Sequence, residues 1–593
     1  MVPATLTAAA LAEFFAQGGS PVAVAEAALA RIAAWDDPAL FLARVPEGAV
    51  LARAAALAAE GPRGRPLFGL PFVVKDNIDC AGLPTTAGCP DYAYRPEADA
   101  PAVARLLAAG AVLLGKVNLD QFATGLNGTR SPHGTPRNPV APDCIPGGSS
   151  SGSAAAVAAG IAAFSLGTDT AGSGRVPAMA CNIVGLKPSL GLVPTLGVVP
   201  ACRSLDCVSV FALTVGDASA VLDVMAGVAE GDRYGRPAPA GWRAAPAGQP
   251  HWRLAAPLPG QLVFDTADDA ALYEAALARA GSAVERVDIA PFLAIAQRLY
   301  DGAWVAERTA ALRGFLAERP GSVHPVTRGI LEAGLGKRTI DAWDDLHAAA
   351  EARRLARALF ARADVLVLPT APGVPTLADL AAEPVAANSR LGTYTNFVNI
   401  CDLSALAVPA GFRGDGRPFG VTLVGPAFSE GRLAGLGAAL HAGAGVGLGA
   451  LGGAVPMAPE PLALGADELP LLAIGAHMAG LPLNPQLMRH GGRFLGEART
   501  VAVYRLYDLG GRPGMVRVAE GGVAVAGEVW ALPAATVGPF LAEIPPPLGF
   551  GRVEMADGSR PLGFLCEAAG VAGMPDISAT GGWRAYLAVK EGV

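Results

Sequence analysis

The fold is decided by residues 140–190, which read VAPDCIPGGSSSGSAAAVAAGIAAFSLGTDTAGSGRVPAMACNIVGLKPSL. Glycine and hydroxyl residues gather in two clusters, 147–153 and 167–173, and small apolar residues fill the run between them. This spacing predicts two tight loops that are held side by side by a buried helix. Glycine lets a main chain approach a ligand closely, and serine and threonine supply hydroxyls, so the loops indicate a site for acyl transfer or anion binding.

Two other interpretations of the clusters fit the sequence less well. A flexible Gly/Ser linker would not enclose an Ala/Val/Ile/Phe run, nor would it continue into GRVPA and GLKPS. Neither cluster has the G-x-x-x-x-G-K-[ST] pattern of a phosphate loop or the G-x-S-x-G pattern of a hydrolase elbow.

The composition is typical of a large globular enzyme. A chain of 593 residues is too long for one ordinary core, so we expect two or more domains. Charged residues make up 16% and hydrophobic residues 52%, as in a well-buried protein. The net charge of −7 and the lack of runs of like charge argue against nucleic acid or a membrane as a partner.

Several features predict a cytoplasmic protein without a metal or other cofactor. The N-terminal stretch lacks the Lys or Arg of a secretory signal and carries Glu13. The eight cysteines form no C-x-x-C pair and have no histidine at metal-ligand spacing, which favours reduced thiols. The uncharged segment 433–459 could span a bilayer by length, but it is rich in Gly and Ala, so we expect a surface helix leading into a linker.

The chain pattern predicts an α/β domain at residues 1–445, a Gly-rich linker at 446–466 and a small β-rich domain at 467–593. A Pro/Gly/Ala segment at 236–252 is predicted to be a surface loop. A short apolar strand is predicted to end at Lys75.

A serine nucleophile needs a base, and none of the seven histidines lies within the two loops. Lys75 is an alternative base, because burial lowers the pKa of a lysine by up to ~3 to 5 units. A lysine at a strand end is more often an exposed cap, but Asp76, Asn77 and a Gly/Thr-rich loop follow directly and keep a catalytic role open. A triad built from distant histidines also stays open.

The chain closely resembles the amidase signature family of Ser-Ser-Lys hydrolases over roughly residues 1–445, in the motifs PFVVKD, PGGSSSGSAAAVAAG, GTDTAGSGRVPA and GLKPS. The resemblance implies an α/β/α sandwich whose central mixed sheet is flanked by helices. It implies that Ser173 is the nucleophile, Ser149 the bridging serine and Lys75 the ultimate base. It also implies a cis peptide at Gly148–Ser149, and an oxyanion hole formed by the amides of Thr170, Ala171, Gly172 and Ser173.

Three positions depart from the usual family motifs GGSSGGS and TDTGGSIR. Ser151 and Ala171 replace glycines, and Gly174 replaces a bulky apolar residue. Alanine still offers its N–H, so the oxyanion hole survives provided that φ at Ala171 is negative. We therefore expect the three departures to change which substrate fits the site and to leave the Ser-Ser-Lys triad intact.

These departures, the preceding DQFATGLNGTRSPHG and the second domain resemble the allophanate hydrolases within that family. The resemblance implies hydrolysis of allophanate (urea-1-carboxylate) to ammonia and N-carboxycarbamate in urea degradation. Tyr300 and Arg308, on one face of a predicted helix, match that subgroup's substrate-binding pair, and an Arg fork suits a carboxylate. The implied partners are a small-molecule substrate, a second copy in a homodimer and a urea carboxylase in functional association.

Residues 467–593 resemble the C-terminal domain of the same enzymes, an α+β fold similar to γ-glutamyl cyclotransferases. The likeness lies in LLAIGAHMAGLPLNPQL, VAGEVWALP and DGSRPLGFLCE. It implies that this domain processes N-carboxycarbamate with His477 as the proton-transfer residue, so that two ammonia and two carbon dioxide result overall. A role in assembly alone, with His477 as a core residue, stays open.

Other functions stay open beside this one. The chain could be another small-amide amidase, or an ammonia-donating amidotransferase component that acts on charged tRNA. It could also be a non-enzymatic binding protein with a relic pocket, although Lys75, Ser149 and Ser173 are all present.

Overall fold

The computed structural model describes residues 1–281, 283–456 and 463–591. Within them the chain forms two compact units. The first comprises residues 1–238, 244–246 and 254–456, and the second comprises 463–591 with the short segments 239–243 and 247–253. Most of the segment predicted as a surface loop thus belongs to the second unit. The linker predicted at 446–466 falls partly on residues 457–462, which lie outside the described residues.

An eleven-stranded mixed sheet forms the centre of the first unit, in the order β1-β3-β2-β4-β6-β5-β10-β11-β9-β7-β8. Its strands are β1 (Phe41–Arg44), β2 (Pro71–Lys75), β3 (Val112–Val117), β4 (Phe164–Asp169), β5 (Val184–Lys187), β6 (Cys207–Ala212), β7 (Leu254–Pro257), β8 (Val284–Val287), β9 (Val365–Pro369), β10 (Leu403–Phe412) and β11 (Pro418–Pro426). Parallel pairs join β2 to β3 and β4, and β7 to β8 and β9, whereas the other neighbours are antiparallel. The predicted mixed sheet is confirmed.

Helices surround this sheet: α1 (Ala8–Ala16), α2 (Pro21–Trp35), α3 (Glu47–Glu60), α4 (Pro101–Ala108), α5 (Ser151–Ala158), α6 (Val176–Ala180), α7 (Val215–Met225), α8 (Ala267–Arg279), α9 (Ala290–Asp301), α10 (Trp304–Glu318), α11 (Pro325–Leu335), α12 (Thr339–Arg362), α13 (Leu377–Ala382), α14 (Ala386–Leu391), α15 (Asn396–Ile400) and α16 (Glu430–Ala444). The buried helix predicted between the two Gly/Ser clusters is α5, all of whose residues are buried. Its small side chains let it fit closely beside the sheet.

The central strands carry the site to one edge of the sheet. Strands β2 and β4 are buried along their whole length, as expected for strands with both faces covered. They run parallel, with Phe72 opposite Phe164, and the two rings stack at 5.0 Å. Because parallel strands end at the same edge, Lys75 at the end of β2 lies beside the last residues of β4.

The prediction of a surface helix within segment 433–459 is wrong, because the helix that forms there is buried. Helix α16 covers the first part of this segment and is largely buried, including Leu433, Leu436 and His441. The helix contacts β10 closely, because a Cβ added at Gly437 would lie only 2.4 Å from a methyl group of Leu406. In the described parts of the chain, every helix is too short or too polar to cross a membrane.

The second unit is β-rich with few helices, as predicted. A five-stranded sheet has the order β13-β16-β12-β18-β17, and β14 and β15 form a separate hairpin. The elements are β12 (Glu468–Ala473), α17 (Asn484–Arg489), β13 (Arg493–Arg499), β14 (Tyr504–Asp508), β15 (Pro513–Arg517), β16 (Ala526–Pro533), α18 (Ala534–Ala542), β17 (Leu548–Arg552), β18 (Leu562–Cys566) and α19 (Trp583–Glu591). Its core is built around the fully buried Trp530.

Candidate active site

Lys75 is fully buried at the end of β2. Its Nζ lies 2.7 Å from Oγ of Ser149 and 2.7 Å from Oγ1 of Thr168. Burial lowers the pKa of Lys75 to about 7, helped by the positive charge of Arg308, while three carboxylates act in the opposite direction. A large share of this amine is therefore neutral near pH 7 and can accept a proton.

The loop before α5 presents Ser149 to that amine. The peptide bond between Gly148 and Ser149 is cis, as the family resemblance implies. Only glycine fits at position 148, because a Cβ there would lie 2.1 Å from a carboxylate oxygen of Asp120. The Asp120 carboxylate accepts hydrogen bonds from the amides of Gly128 and Arg130 at 3.0 and 2.9 Å. The Asp120 amide donates to the Ser149 carbonyl at 3.0 Å. This carboxylate thereby fixes the Ser149 loop.

The two Gly/Ser clusters lie side by side, as predicted. The Ser150 hydroxyl donates to the Thr168 carbonyl at 3.2 Å and accepts from the Thr168 amide at 3.4 Å. Further along α5, the Ser153 hydroxyl donates to the Leu166 carbonyl at 3.0 Å. The hydroxyls of Ser150 and Ser153 thus bind β4, whereas that of Ser151 donates to the Asn118 carbonyl at 3.5 Å.

Ser173 lies in the loop between β4 and α6 and is 4% exposed. Within the described residues, its hydroxyl makes no hydrogen bond to Ser149, so the relay is formed from Lys75 only as far as Ser149. The amides of Ala171, Gly172 and Ser173 likewise donate to no acceptor in the part of the chain that the structure describes. Three adjacent N–H groups are thus available to a substrate oxygen.

The backbone of this loop suits an oxyanion hole. The φ angle at Ala171 is not positive, so the condition set by its replacement of glycine is met. Gly172 cannot carry a side chain, because a Cβ would lie 2.3 Å from Oγ1 of Thr395.

A buried ion pair braces the same loop. Arg175 donates to both carboxylate oxygens of Asp169, at 2.8 and 2.9 Å, and both side chains are fully buried. Burial alone would raise the pKa of Asp169, but the Arg175 guanidinium outweighs it and holds this pKa below its usual range. The Gly174 amide donates to the same carboxylate at 3.0 Å, and Asn399 accepts from Arg175 at 3.2 Å. The pair therefore fixes the shape of the loop around Ser173.

Replacing Asp169 by asparagine is expected to lower the free energy of unfolding by about 3–5 kcal/mol, because Arg175 would be left buried without its counter-charge. Urea denaturation followed by circular dichroism measures this loss. The matched control is Glu351→Gln, which breaks an exposed Arg354–Glu351 pair of 2.7 Å and should leave the urea midpoint unchanged. Equal midpoints for the two variants would contradict a bracing role for Asp169.

A second buried carboxylate contacts the oxyanion loop. Asp206 accepts from Oγ1 of Thr170 at 2.5 Å and from the amides of Ala201 and Cys202 at 3.1 Å. Burial raises the pKa of Asp206 to about 6, so this group is ionised at neutral pH. Asp206 therefore holds Thr170 at the entrance of the loop.

Tyr300 and Arg308 lie together, but not on one helix. Tyr300 belongs to α9 and Arg308 to α10, and Gly302 and Ala303 connect the two helices without being part of either. The Arg308 guanidinium carbon still lies 5.4 Å from the centre of the Tyr300 ring. Arg308 is 1% exposed and donates to Oγ1 of Thr124 at 2.8 Å, whereas its buried Nε has no hydrogen-bond partner in the described residues.

His477 lies in the second unit, in the turn after β12. Its Nε2 is 2.9 Å from Oε1 of Gln486, and its ring stacks on Phe564 at 4.9 Å and meets Phe540 edge-on at 5.3 Å. Burial lowers the pKa of His477, so its imidazole is neutral at pH 7.

Three of the residues around the first site were not predicted. Thr168, Asp120 and Asp206 lie in loops or strand ends that bring them to Lys75, Ser149 and Thr170. Thr168 stands inside the second cluster, so its position was a usable signal. Asp120 begins the quoted motif DQFATGLNGTRSPHG, so its position was also a usable signal. Asp206 lies in no quoted motif, and its contact with Thr170 joins positions 36 residues apart.

Comparisons with known proteins match both units. The family described as Amidase matches residues 23–434, and the family described as Allophanate hydrolase C-terminal domain matches residues 469–588. Allophanate hydrolase from Kluyveromyces lactis is 38% identical, with 98% of each chain covered and a TM-score of 0.78. The likeness thus extends across both units.

Two groups of sequence relatives differ in the share of their own length that the match to this chain covers. Urea amidolyase from Lachancea kluyveri is 40% identical over 546 residues, which are 88% of this chain but 30% of that protein. The chain thus spans under a third of that relative. A glutamyl-tRNA(Gln) amidotransferase component from Natronomonas pharaonis is 37% identical over 417 residues, which are 63% of this chain and 96% of that protein. The chain therefore belongs to the amidase family, and its amidase domain is followed by the C-terminal domain of allophanate hydrolases.

Proposed function

We propose that the chain hydrolyses allophanate to ammonia and N-carboxycarbamate as a step of urea degradation. The observation that carries the proposal is the buried Lys75 amine, 2.7 Å from the hydroxyl of Ser149, beside a loop that offers Ser173 and free amides. The C-terminal domain matched to allophanate hydrolases supports this substrate over other amides. We assign the amidase domain to residues 1–445, the linker to 446–466 and the C-terminal domain to 467–593.

The proposed proton relay uses three side chains. Neutral Lys75 accepts the proton of the Ser149 hydroxyl, and Ser149 accepts the proton of Ser173. The Ser173 oxygen attacks the carbon of the terminal amide, and the C–N bond breaks. The leaving nitrogen takes a proton back through the relay and departs as ammonia. Water then releases N-carboxycarbamate from Ser173.

The second hop of this relay needs a hydrogen bond between Ser173 and Ser149, which the described residues do not form. A serine side chain moves between three staggered rotamers, so a turn about χ1 is enough to redirect the Ser173 hydroxyl. Catalytic hydrogen bonds are commonly loose without substrate and tighten in the complex. We propose that substrate binding turns the Ser173 hydroxyl toward Ser149.

The remaining groups suit a small anionic substrate. The amides of Thr170, Ala171, Gly172 and Ser173 would stabilise the developing oxyanion, where one donor contributes ~10²- to 10³-fold in rate. Arg308, whose Nε has no partner in the described residues, would bind the allophanate carboxylate. Tyr300 would hold the guanidinium in place by its ring face.

Replacing Arg308 by glutamine should raise KM for allophanate by roughly 10²-fold with a smaller effect on kcat, because a charge-assisted contact to the carboxylate contributes about 1.5–3 kcal/mol. Steady-state kinetics of ammonia release measures both constants. Arg313→Gln, on the same helix, is the control and should keep the KM of the unaltered chain. An unchanged KM in Arg308→Gln would contradict the assignment.

The C-terminal domain would complete the reaction. We propose that it converts N-carboxycarbamate with His477 as the proton-transfer residue, so that two ammonia and two carbon dioxide are formed overall. We also propose a homodimer and a functional association with a urea carboxylase, since relatives include urea amidolyases. A cytoplasmic location is proposed because all eight cysteines are free and buried.

Ammonia release from allophanate by the purified chain tests the proposed function. Two ammonia per allophanate are expected, and kcat/KM for acetamide should be lower by roughly 10²-fold because acetamide has no carboxylate for Arg308. An ammonia-donating amidotransferase component that acts on charged tRNA would instead be inactive without its partner proteins. No ammonia from allophanate, or equal rates with acetamide, would reject the substrate.

A further inference from the structure

Glu307 lies in the first turn of α10, directly before Arg308. Among the described residues, its half-buried carboxylate accepts three hydrogen bonds from the chain that leads into β6. Oε1 accepts from the Ser204 amide at 2.8 Å, and Oε2 accepts from the Ser204 hydroxyl at 2.6 Å and from Sγ of Cys202 at 2.9 Å. Both oxygens of Glu307 therefore bind one short turn, residues 201–206.

The other end of this turn contacts the oxyanion loop, residues 170–173. Asp206 accepts a hydrogen bond from Oγ1 of Thr170 at 2.5 Å, and Leu205 belongs to the same apolar cluster as Ala171. The amides of Leu205 and Asp206 both donate to the Cys202 carbonyl at 2.9 Å, which makes the turn compact. The turn is thus a short connection between α10 and the oxyanion loop.

The thiol of Cys202 is one of the three donors to Glu307. Burial, together with the charge of Glu307, raises the pKa of the Cys202 thiol well above its usual range, so this group keeps its proton at neutral pH. An ionised carboxylate can only accept, so it suits three donors. A glutamine at position 307 could not accept from all three, because its NH₂ group would face one of the donors.

Helix α10 carries two contacts with different tasks. Successive side chains on a helix point ~100° apart, so Glu307 and Arg308 face different neighbours. Arg308 contacts Thr124 and the ring of Tyr300. The proposed substrate would reach both parts of the site, with its carboxylate at Arg308 and its carbonyl oxygen at the amides of the oxyanion loop. Because allophanate is short and nearly planar, it fits only one distance between them.

We propose that Glu307 is a positioning residue that sets the distance between Arg308 and the oxyanion loop. It acts through Ser204 and Asp206 at the two ends of the turn, and it thereby favours amides whose carboxylate has the spacing of allophanate. The inference rests on the proposed function, which assigns Arg308 to the substrate carboxylate. Moving a binding group by about 1 Å can lower a rate by ~10²-fold, so a small shift of α10 is enough.

The test is the effect of Glu307→Gln on two substrates. The value of kcat/KM for allophanate should fall by roughly 10- to 10²-fold, mainly through a higher KM. Acetamide has no carboxylate and uses only the oxyanion loop, so its kcat/KM should change by less than about threefold. A purely structural role would lower both values together. Glu318→Gln, at the exposed last residue of the same helix, is the matched control and should leave both values unchanged.

A second variant changes the same contact from the opposite side. Ser204→Ala removes the hydroxyl donor and keeps the Ser204 amide, so kcat/KM for allophanate should fall by roughly three- to tenfold. The double variant should be no worse than Glu307→Gln alone, because both substitutions act on one contact. Circular dichroism of the three variants should match the unaltered chain.

Substrate binding has a readout that does not require hydrolysis of allophanate. Malonamate has the same spacing of carboxylate and amide, and it should protect Ser173 from a fluorophosphonate. Glu307→Gln should need roughly tenfold more malonamate for equal protection. Equal losses for allophanate and acetamide, additive effects of the two substitutions, or unchanged protection in Glu307→Gln would overturn the proposal. Weaker protection in a chain that releases no ammonia from allophanate would reject the proposed substrate and support the role of Glu307.

Discussion

Ser173→Ala is expected to reduce ammonia release from allophanate by roughly 10⁴- to 10⁶-fold, which is the largest effect of any single substitution in the first unit. The loss follows because the neighbouring loop residues Ala171, Gly172 and Gly174 offer no hydroxyl that could replace that of Ser173. Steady-state rates measure it, with a sensitive ammonia assay for the residual activity.

The matched control for this prediction is Ser153→Ala. Ser153 is also buried in the first cluster, but its hydroxyl donates to the Leu166 carbonyl at 3.0 Å and stays outside the relay. Its removal should change kcat by less than about tenfold, which corresponds to the loss of one ordinary hydrogen bond. A Ser173→Ala variant as active as Ser153→Ala would exclude Ser173 as the nucleophile.

Lys75→Met should lower kcat by roughly 10⁴-fold, because the apolar side chain fills the same space but cannot accept the Ser149 proton. Lys75→Arg should be equally inactive, since a guanidinium keeps its proton at any pH used in the assay. Circular dichroism of both variants should match the unaltered chain, so that unfolding does not explain the loss.

The same amine predicts the acid side of the pH profile. With its pKa near 7, Lys75 is an ammonium below that pH and cannot accept a proton. The value of kcat/KM should therefore rise with pH and level off above about pH 7. Asp206→Asn is the control, because Asp206 has a raised pKa of about 6 and lies near the same loop. If the rise of kcat/KM below about pH 7 disappears in Asp206→Asn, the titrating group is the Asp206 carboxylate and not Lys75.

The sequence predicts the pairing of the two Gly/Ser loops well because one helix and one strand connect them. Strand β2 ends at Lys75, and helix α5 separates the two clusters by a fixed length, so the motifs alone bring the loops together. The mixed sheet and the β-rich second unit follow from the alternation of apolar and turn residues in the same way.

The parts that could not be predicted depend on distant contacts. The helix assumed to carry both Tyr300 and Arg308 breaks because Asp345 of α12 accepts the Ala303 amide at 2.5 Å, and a Cβ at Gly302 would lie 2.3 Å from that carboxylate. The spacing of Tyr300 and Arg308 along the sequence cannot indicate this contact, because Asp345 lies 42 residues beyond Ala303.

Helix α16 illustrates a different limit. Its Gly and Ala content predicts a surface helix leading into a linker, whereas the small residues here allow close contact with β10. The segments 239–243 and 247–253 form no helix or strand, as predicted for a loop, but they belong to the second unit. Composition indicates how closely a backbone can approach a neighbour but does not identify the neighbour.

The most direct test of the central claim is labelling with a fluorophosphonate, which reacts with activated serines, followed by peptide mapping by mass spectrometry. If Lys75 draws the proton of Ser173 through Ser149, the label should appear on Ser173 in the unaltered chain. It should be absent from Lys75→Met under the same conditions. A label on another residue, or labelling of Ser173 at the same rate in Lys75→Met, would contradict the relay.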